Sequence, residues 1–209
     1  IQQHQMAEEL TLIYWGVKSR NWAILLIASH GDVSFKWEKP NNQDWRQVAP
    51  YNQLPILKRS VGGQDEYLGQ SLAVANYFAK VGKLAGDNAW EEARSESLMQ
   101  AWEDISALLS KAQYSPDRKA AMDALFAEGI QPKLAVLEKN LRGETFFADG
   151  KLRAGDLAIF AGLNITYDLE PTFLDAFPGL KKFYEKVAEH PKTKAVLSLE
   201  GIYPYFKRE

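Results

Sequence analysis

Asn52-Gln53-Leu54-Pro55-Ile56-Leu57, followed by Leu68-Gly69-Gln70-Ser71, is the part of the chain whose reading decides its fold. A proline at the head of a strand cannot donate to the ladder. A cis bond ahead of Pro55 would turn the main-chain N–H and C=O of Leu54 outward, making a one-residue strand edge for an extended ligand. Gln70 and Ser71 open a helical stretch that runs through Lys80. They put an amide and a hydroxyl beside the unpaired N–H groups of a first helical turn, at the positive end of its dipole. That is a seat for a carboxylate, and the two features together describe a site for a small peptide. Taken singly they read as an X-Pro turn and an ordinary serine cap; their joint place in one βαβ-ββα pattern carries the reading.

The pattern is built outward from this stretch. Residues 10–14 form a short apolar run, and 21–30 predict a helix with an apolar face at Trp22, Leu25, Leu26 and Ser29. Residues 33–38 alternate, with Val33, Phe35 and Trp37 on one side. Residues 54–59 and 66–68 frame Gly62-Gly63-Gln64-Asp65, a hairpin turn suited to positive φ. The order predicts a parallel pair extended by an antiparallel hairpin, with helices on its faces. Residues 82–88 break the pattern as a linker. From Trp90 on, the chain is almost wholly helical, beginning with a core stripe at Leu98, Ala101, Trp102, Ile105, Leu108, Leu109 and Ala112. Further helices are expected over 116–141, 155–166, 173–177 and 180–189. The expected division is an α/β domain over 8–84 and an all-helical bundle domain over 89–209.

Composition narrows the chemistry. With 25 Lys+Arg against 27 Asp+Glu the chain has no electrostatic case for nucleic acid or an anionic membrane. Zero cysteines exclude disulfides, thiolate metal sites and a cysteine nucleophile, and His4, His30 and His190 lack metal-ligand spacing. Any thiol chemistry must therefore use a sulfur brought by a ligand. No apolar run approaches the roughly 20 residues that span a bilayer. Ile1-Gln2-Gln3-His4-Gln5 lacks the blocks of a signal peptide, and Met6-Ala7 reads as the natural start. The expected compartment is the cytoplasm.

Tyr14 ends the first strand, where ligands of open α/β sheets lie. A free thiol with a pKa of about 8.5 is mostly protonated at neutral pH, and a hydrogen bond donated to the thiolate favours the charged form. One placed phenol can thus activate a sulfur nucleophile. Viewed alone, Tyr14 merely ends a strand; Ser19 would serve if the loop turned differently. Arg20 either keeps the surroundings of that ring positive or pairs with a surface carboxylate.

Tyr14-Trp15-x-x-Lys18-Ser19-Arg20, Asp44-Trp45, Gln53-Leu54-Pro55-Ile56-Leu57 and Gln70-Ser71-Leu72-Ala73-Val74-Ala75-Asn76-Tyr77 stand in order and spacing over residues 10–86. This series resembles the glutathione S-transferases, and most of all their sigma-like branch; Gly155-Asp156-Leu157-Ala158 is similar to a helix start of the same family. The resemblance implies a thioredoxin-like N-terminal domain that binds glutathione and an all-helical domain that shapes a pocket for a hydrophobic electrophile. By the same resemblance Tyr14 donates to the glutathione sulfur, while Trp45 and Gln53 line the tripeptide. Leu54, ahead of Pro55, pairs with its cysteinyl backbone, and Gln70 and Ser71 hold its γ-glutamyl carboxylate, with Arg20 in the same binding set. Trp15, Trp102 and Tyr203 are the expected pocket residues, with Tyr205 and Phe206 beside them unless the tail packs on the helical domain. A homodimer is implied.

The chain also departs from the family pattern. The segment between Trp45 and Leu54 is short, which leaves Arg46 as the stand-in for a basic residue usually found there. Gln100 stands where the family often has an Asp that reaches the partner's ligand, and Arg153 replaces a Ser or Thr cap, with Asp156 left to satisfy backbone donors. The short segment and Gln100 motivate an alternative, a carrier that binds glutathione or an apolar ligand without turnover; a structural subunit of a larger complex is a third reading. An isomerase or peroxidase would use the same thiolate site.

Overall fold

The computed structural model describes residues 8–41, 44–141, 145–147 and 150–208. Along the chain come β1 (Glu8–Ile13), the short β2 (Val17–Lys18), α1 (Trp22–His30), β3 (Lys36–Glu38) and one turn of helix, α2 (Trp45–Val48). The hairpin β4 (Ile56–Val61) and β5 (Gln64–Gly69) leads into α3 (Ser71–Val81). The main sheet has the order β3-β1-β4-β5. Only the β1–β3 pair is parallel, with Leu12 opposite Trp37, while β4 runs antiparallel to both its neighbours. Gly62 and Gly63, at φ 59° and 79°, close the hairpin; residues at positive φ give this turn the twist of its strands. This is a thioredoxin-like βαβ-ββα sheet. The alternation expected over 33–38 is present in burial, but paired strand is confined to Lys36–Glu38 at the sheet edge.

An all-helical part follows. It comprises α4 (Ala89–Gln113), α5 (Arg118–Ala124), α6 (Gln131–Leu141), α7 (Ala154–Leu169), α8 (Pro178–Ala188) and α9 (Pro191–Leu197), and the tail adds β6 (Tyr203–Pro204) parallel to β2. Asn88 caps α4 by accepting from the N–H groups of Trp90 and Glu91. The single helix expected over 116–141 is interrupted by a π-turn at Leu125–Gly129, where the Ile130 N–H reaches the Leu125 carbonyl. The extra residue keeps Met122, Leu125, Phe126, Ile130 and Leu134 all buried. Residues 173–177 are turns rather than helix, and α8 begins at Pro178, a residue pre-shaped for the first helical position.

Helix α1 has no apolar stripe; Trp22 through Ala28 are all buried. It packs against α3, α7 and α9 while Leu10, Leu12 and Leu57 of the sheet share its core. Helix α7 is likewise buried from Ala154 to Thr166. Its closest neighbour is α4, and the seam between them is set by glycine. A Cβ on Gly155 would stand 2.5 Å from the Ser95 carbonyl oxygen, and one on Gly162 would stand 2.0 Å from the Trp102 ring. Both pairs are spaced i, i+7, so one face of α7 is notched to receive α4. Asp156 accepts from the N–H groups of Arg153 (2.9 Å) and Phe147 (2.7 Å), and burial pushes its carboxyl up to about 6. The Arg153 guanidinium, unable to cap, instead joins Asp87 (2.6 Å) and Glu91 (2.8 Å).

Two outcomes follow. Gly162→Ala is expected to lower stability by about 1–3 kcal/mol through overpacking against Trp102, read from urea or thermal unfolding; an unchanged midpoint would show that the seam has slack. At the far end of α1, His30 meets Thr193 Oγ1 at 2.9 Å and the His190 ring at 4.5 Å between centroids. Burial, then the positive form of His190, then Lys192 hold His30 down at about 4, against an upward pull from Asp32. A depressed folded value means stability present above the unfolded value of about 6.5 and lost as the pH falls toward 4. Unfolding midpoints of the wild type should therefore drop over that window more than those of His30→Gln.

Candidate active site

Strand β1 delivers Tyr14 to the carboxyl end of the sheet, where the Tyr14 N–H bonds the Glu38 carbonyl at 3.1 Å and the Tyr14 carbonyl accepts from Trp37 Nε1 at 3.2 Å. The ring is 7% exposed. Burial pushes the phenol above its ordinary value, outweighing the nearby Ser19 side chain and Arg20, which favour the phenolate. The hydroxyl therefore stays protonated at neutral pH, and its own hydrogen is left to donate.

Tyr14 lines a cleft of about 500 Å3 together with Trp15, Ser19, Arg20, Trp45, Gln53, Leu54, Gln70 and Ser71 from the sheet part. From the helical part come Ser110 and Tyr114, and from the tail Tyr205. Most of the residues singled out in the sequence thus meet around one space, between the two halves of the chain. Three do not. Pro55, joined to Leu54 by a cis bond, is buried and stands outside the lining. Trp102 is 4% exposed and fills the Gly162 notch in the core. Tyr203 lies in β6 at 66% exposure, and the tail offers Tyr205 to the cleft instead.

Tyr114 and Tyr205 touch through their hydroxyls across the cleft. Ser110 and Tyr114, with Glu103, were not foreseen. They share a face of α4 at i, i+7 and i+11, and a polar stripe beside the core stripe is the signal that would have found them. Glu103 Oε2 pairs with Arg20 Nη1 at 2.5 Å, and Oε1 accepts the Ser71 hydroxyl at 3.3 Å. Gln100 is exposed, and Arg46 stacks over the Trp45 ring at 4.6 Å.

Gln70, the residue before α3, holds φ 72° and ψ 118° and makes no side-chain cap bond to the helix. A non-glycine residue there stores on the order of 1–3 kcal/mol of strain, and such strain collects at functional sites. The first-turn N–H groups of α3 face the cleft end without a cap from that side chain. Gln70→Gly is expected to raise stability by about 1 kcal/mol, measured by urea unfolding; a loss of stability would mean that the Gln70 side chain holds the turn.

A larger hollow of about 730 Å3 lies between α5, the end of α7 and the tail, but its Arg208 is paired with Asp123 and Glu170, and of the aromatics expected at the pocket it meets only Phe206. Among the described residues no group of His, Asp and Glu could hold a metal, and no helix is long and apolar enough to cross a membrane.

A thioredoxin-like sheet joined to a helical bundle, with a buried phenol and an uncapped helix start on one cleft, defines a glutathione-transferase type of architecture. Residues 103–199 match the family "Glutathione S-transferase, C-terminal domain". Glutathione S-transferase P of Caenorhabditis elegans is 28% identical over 199 residues, which is 90% of this chain and 92% of that protein. Prostaglandin synthase D of Nilaparvata lugens superposes with a TM-score of 0.77 at 25% identity, over 92% of this chain and 98% of that structure. NaGST-2 does so at 0.80 and 19% identity, over 93% and 98%, a likeness of fold. The chain is thus similar to glutathione S-transferases over about 90% of its length.

Proposed function

We propose that the protein is a glutathione transferase of the tyrosine type, in which the Tyr14 phenol donates a hydrogen bond to the glutathione sulfur. The observation that carries this reading is the buried Tyr14 on the same cleft as Ser19, Arg20, Leu54, Gln70 and Ser71. In this reading the γ-glutamyl carboxylate sits on the Ser71 hydroxyl and the free N–H groups of α3, with Gln70 beside it. Leu54 offers its main chain to the cysteinyl unit, Pro55 supports that turn, and Trp45, Gln53 and Arg20 flank the tripeptide.

The thiol loses its proton to solvent, and the phenol hydrogen bond stabilises the thiolate that remains. A hydrogen bond to a charged group is worth about 1.5–3 kcal/mol, which lowers a thiol by about 1–2 pKa units and brings a value of about 8.5 to near neutrality. Sulfur then attacks the electrophilic carbon, a C–S bond forms and the leaving group departs with its electron pair. Trp15, Ser110, Tyr114 and Tyr205 face the co-substrate side. Residues 8–84 would serve as the glutathione domain and 89–209 as the co-substrate domain. A cytoplasmic homodimer and the sigma-like branch belong to the same reading, which the likeness to a prostaglandin synthase supports.

Tyr14→Phe is expected to lower kcat/KM for a chloronitroaromatic by about 10–100-fold at pH 6.5. The loss should shrink as the pH rises past about 8.5, where the thiol ionises unaided. Glutathione affinity should hardly change. An equal loss at every pH would remove the phenol from thiolate stabilisation, and binding without turnover in the wild type would favour a carrier.

A further inference from the structure

The stretch from Trp15 to Arg20 has two edges. Trp15, Ser19 and Arg20 line the cleft beside Tyr14, whereas Val17 and Lys18, which form β2, stand outside the lining. Main-chain bonds hold its two ends: the Tyr203 N–H donates to the Gly16 carbonyl at 3.1 Å, and the Trp22 N–H donates to the Ser19 carbonyl at 2.9 Å. Between them the Lys18 side chain reaches across to the helical part. Its ammonium donates to Asp168 Oδ2 at 2.9 Å and to Asn164 Oδ1 at 3.5 Å, both on α7, and lies 5.2 Å from the centre of the Trp22 ring. The side chain is 16% exposed. An ammonium withdrawn this far from water is weakly screened and costly to unpair. The anchor is itself fixed, because Asn164 accepts from the Trp22 indole and donates to the Tyr184 hydroxyl.

We propose that Lys18 is a positioning residue for the sulfur chemistry: by fastening β2 to α7 it fixes where Ser19 and Arg20 stand against the Tyr14 phenol, and through them how strongly that phenol donates to the thiolate. This rests on the reading of the cleft as a glutathione site. Lys18 acts at one remove, through the two residues that follow it in the chain.

The physical chain is short. Ser19 and Arg20 favour the ionised form of the Tyr14 phenol, against the burial that opposes it. A more acidic phenol is a stronger donor to an anion. Moving Ser19 and Arg20 away therefore weakens the hydrogen bond that keeps the sulfur charged, and the thiol ionises at a higher pH. The other titratable groups on the cleft are Tyr114 and Tyr205, with Glu103 against Arg20. They belong to α4 and the tail and are kept in every variant below.

The test compares two single variants. Lys18→Met keeps an apolar stem beside Trp22 and removes the charge; Asp168→Asn removes the partner's charge without touching the loop, and keeps the proposal testable where the first variant does not fold. In each, ultraviolet titration of the bound thiol is expected to give a half-point about one pH unit above that of the wild type, with kcat/KM for a chloronitroaromatic at pH 6.5 about tenfold lower. Rates should converge at high pH, and affinity for S-methylglutathione, which has no ionisable sulfur, should change by less than about twofold. Lys18→Arg should restore the half-point. The double variant should lose no more than either single one, since both break the same contact. Thermal unfolding reports whether each variant is folded. A folded variant whose half-point is unmoved overturns the proposal, as does an additive loss in the double variant, or a loss of S-methylglutathione binding as large as the loss of rate. A wild type that fails to bind glutathione at millimolar concentration, or whose half-point is untouched by Tyr14→Phe, sinks the glutathione reading itself. Where the wild type binds and Tyr14→Phe moves the half-point, an unmoved Lys18→Met sinks this proposal alone.

Discussion

Helices α1 and α7 cannot be wetted, and each is the other's cover. Trp22 through Ala28 and Ala154 through Thr166 are buried around their whole circumference. A helix that is apolar all round must be enclosed by other elements, so α1 is enclosed by the sheet, α3, α9 and α7, and α7 by α1, α4 and α8. The two parts of the chain therefore share one core. At their contact the Trp22 indole donates to Asn164 Oδ1 at 2.9 Å, and Asn164 Nδ2 donates to the Tyr184 hydroxyl at 3.1 Å. A buried polar bond of this kind is costly to leave unmade and so sets the register of one helix on the other.

The cleft is a consequence of that register. Tyr14 leaves β1 just ahead of α1, Ser71 opens α3, and Glu103 and Ser110 ride on α4, which is held to α7 by the Gly155 and Gly162 notches. A shift of α7 by one turn would part the Tyr14 side of the cleft from the Tyr114 side. Local chemistry then sharpens the site. Ser19 and Arg20 stand beside the Tyr14 phenol, a strained Gln70 starts α3, and burial keeps the phenol protonated. Stability is given up locally at Gln70 and held elsewhere by the core, the usual relation between a strained residue and its scaffold.

The tail closes the structure on itself. Strand β6 lies along β2, Tyr205 meets Tyr114, Phe206 is buried, and Arg208 pairs with Asp123 and Glu170 while lying over the Phe126 ring. Residues on either side of Tyr205 are thus anchored, which holds that side chain at the cleft wall.

Much of this was legible from local pattern. The βαβ-ββα order, the Gly62-Gly63 turn, the long α4 stripe and the convergence of Tyr14, Leu54, Gln70 and Ser71 follow from period, turn chemistry and helix-end chemistry, all of which act over a few residues. The failures share a cause. The one-sided face drawn for α1, the unbroken helix over 116–141, and the placing of Trp102 and Tyr203 at the pocket all depended on what lies opposite. Trp102 reads as a pocket aromatic until the absence of a side chain at Gly162, sixty residues along the chain, admits it to the core. Glu103 reads as an ordinary surface acid until α4 is laid across the start of α3. By itself the sequence determined the order of the strands and most helices and which polar side chains stand at strand ends and helix starts, because covalent neighbours settle those matters. Only the tertiary structure decided which side chains line the cleft and which carboxylate meets Arg20 and Ser71, because contacts between distant segments depend on helix register, and register is set by steric fit over the whole core.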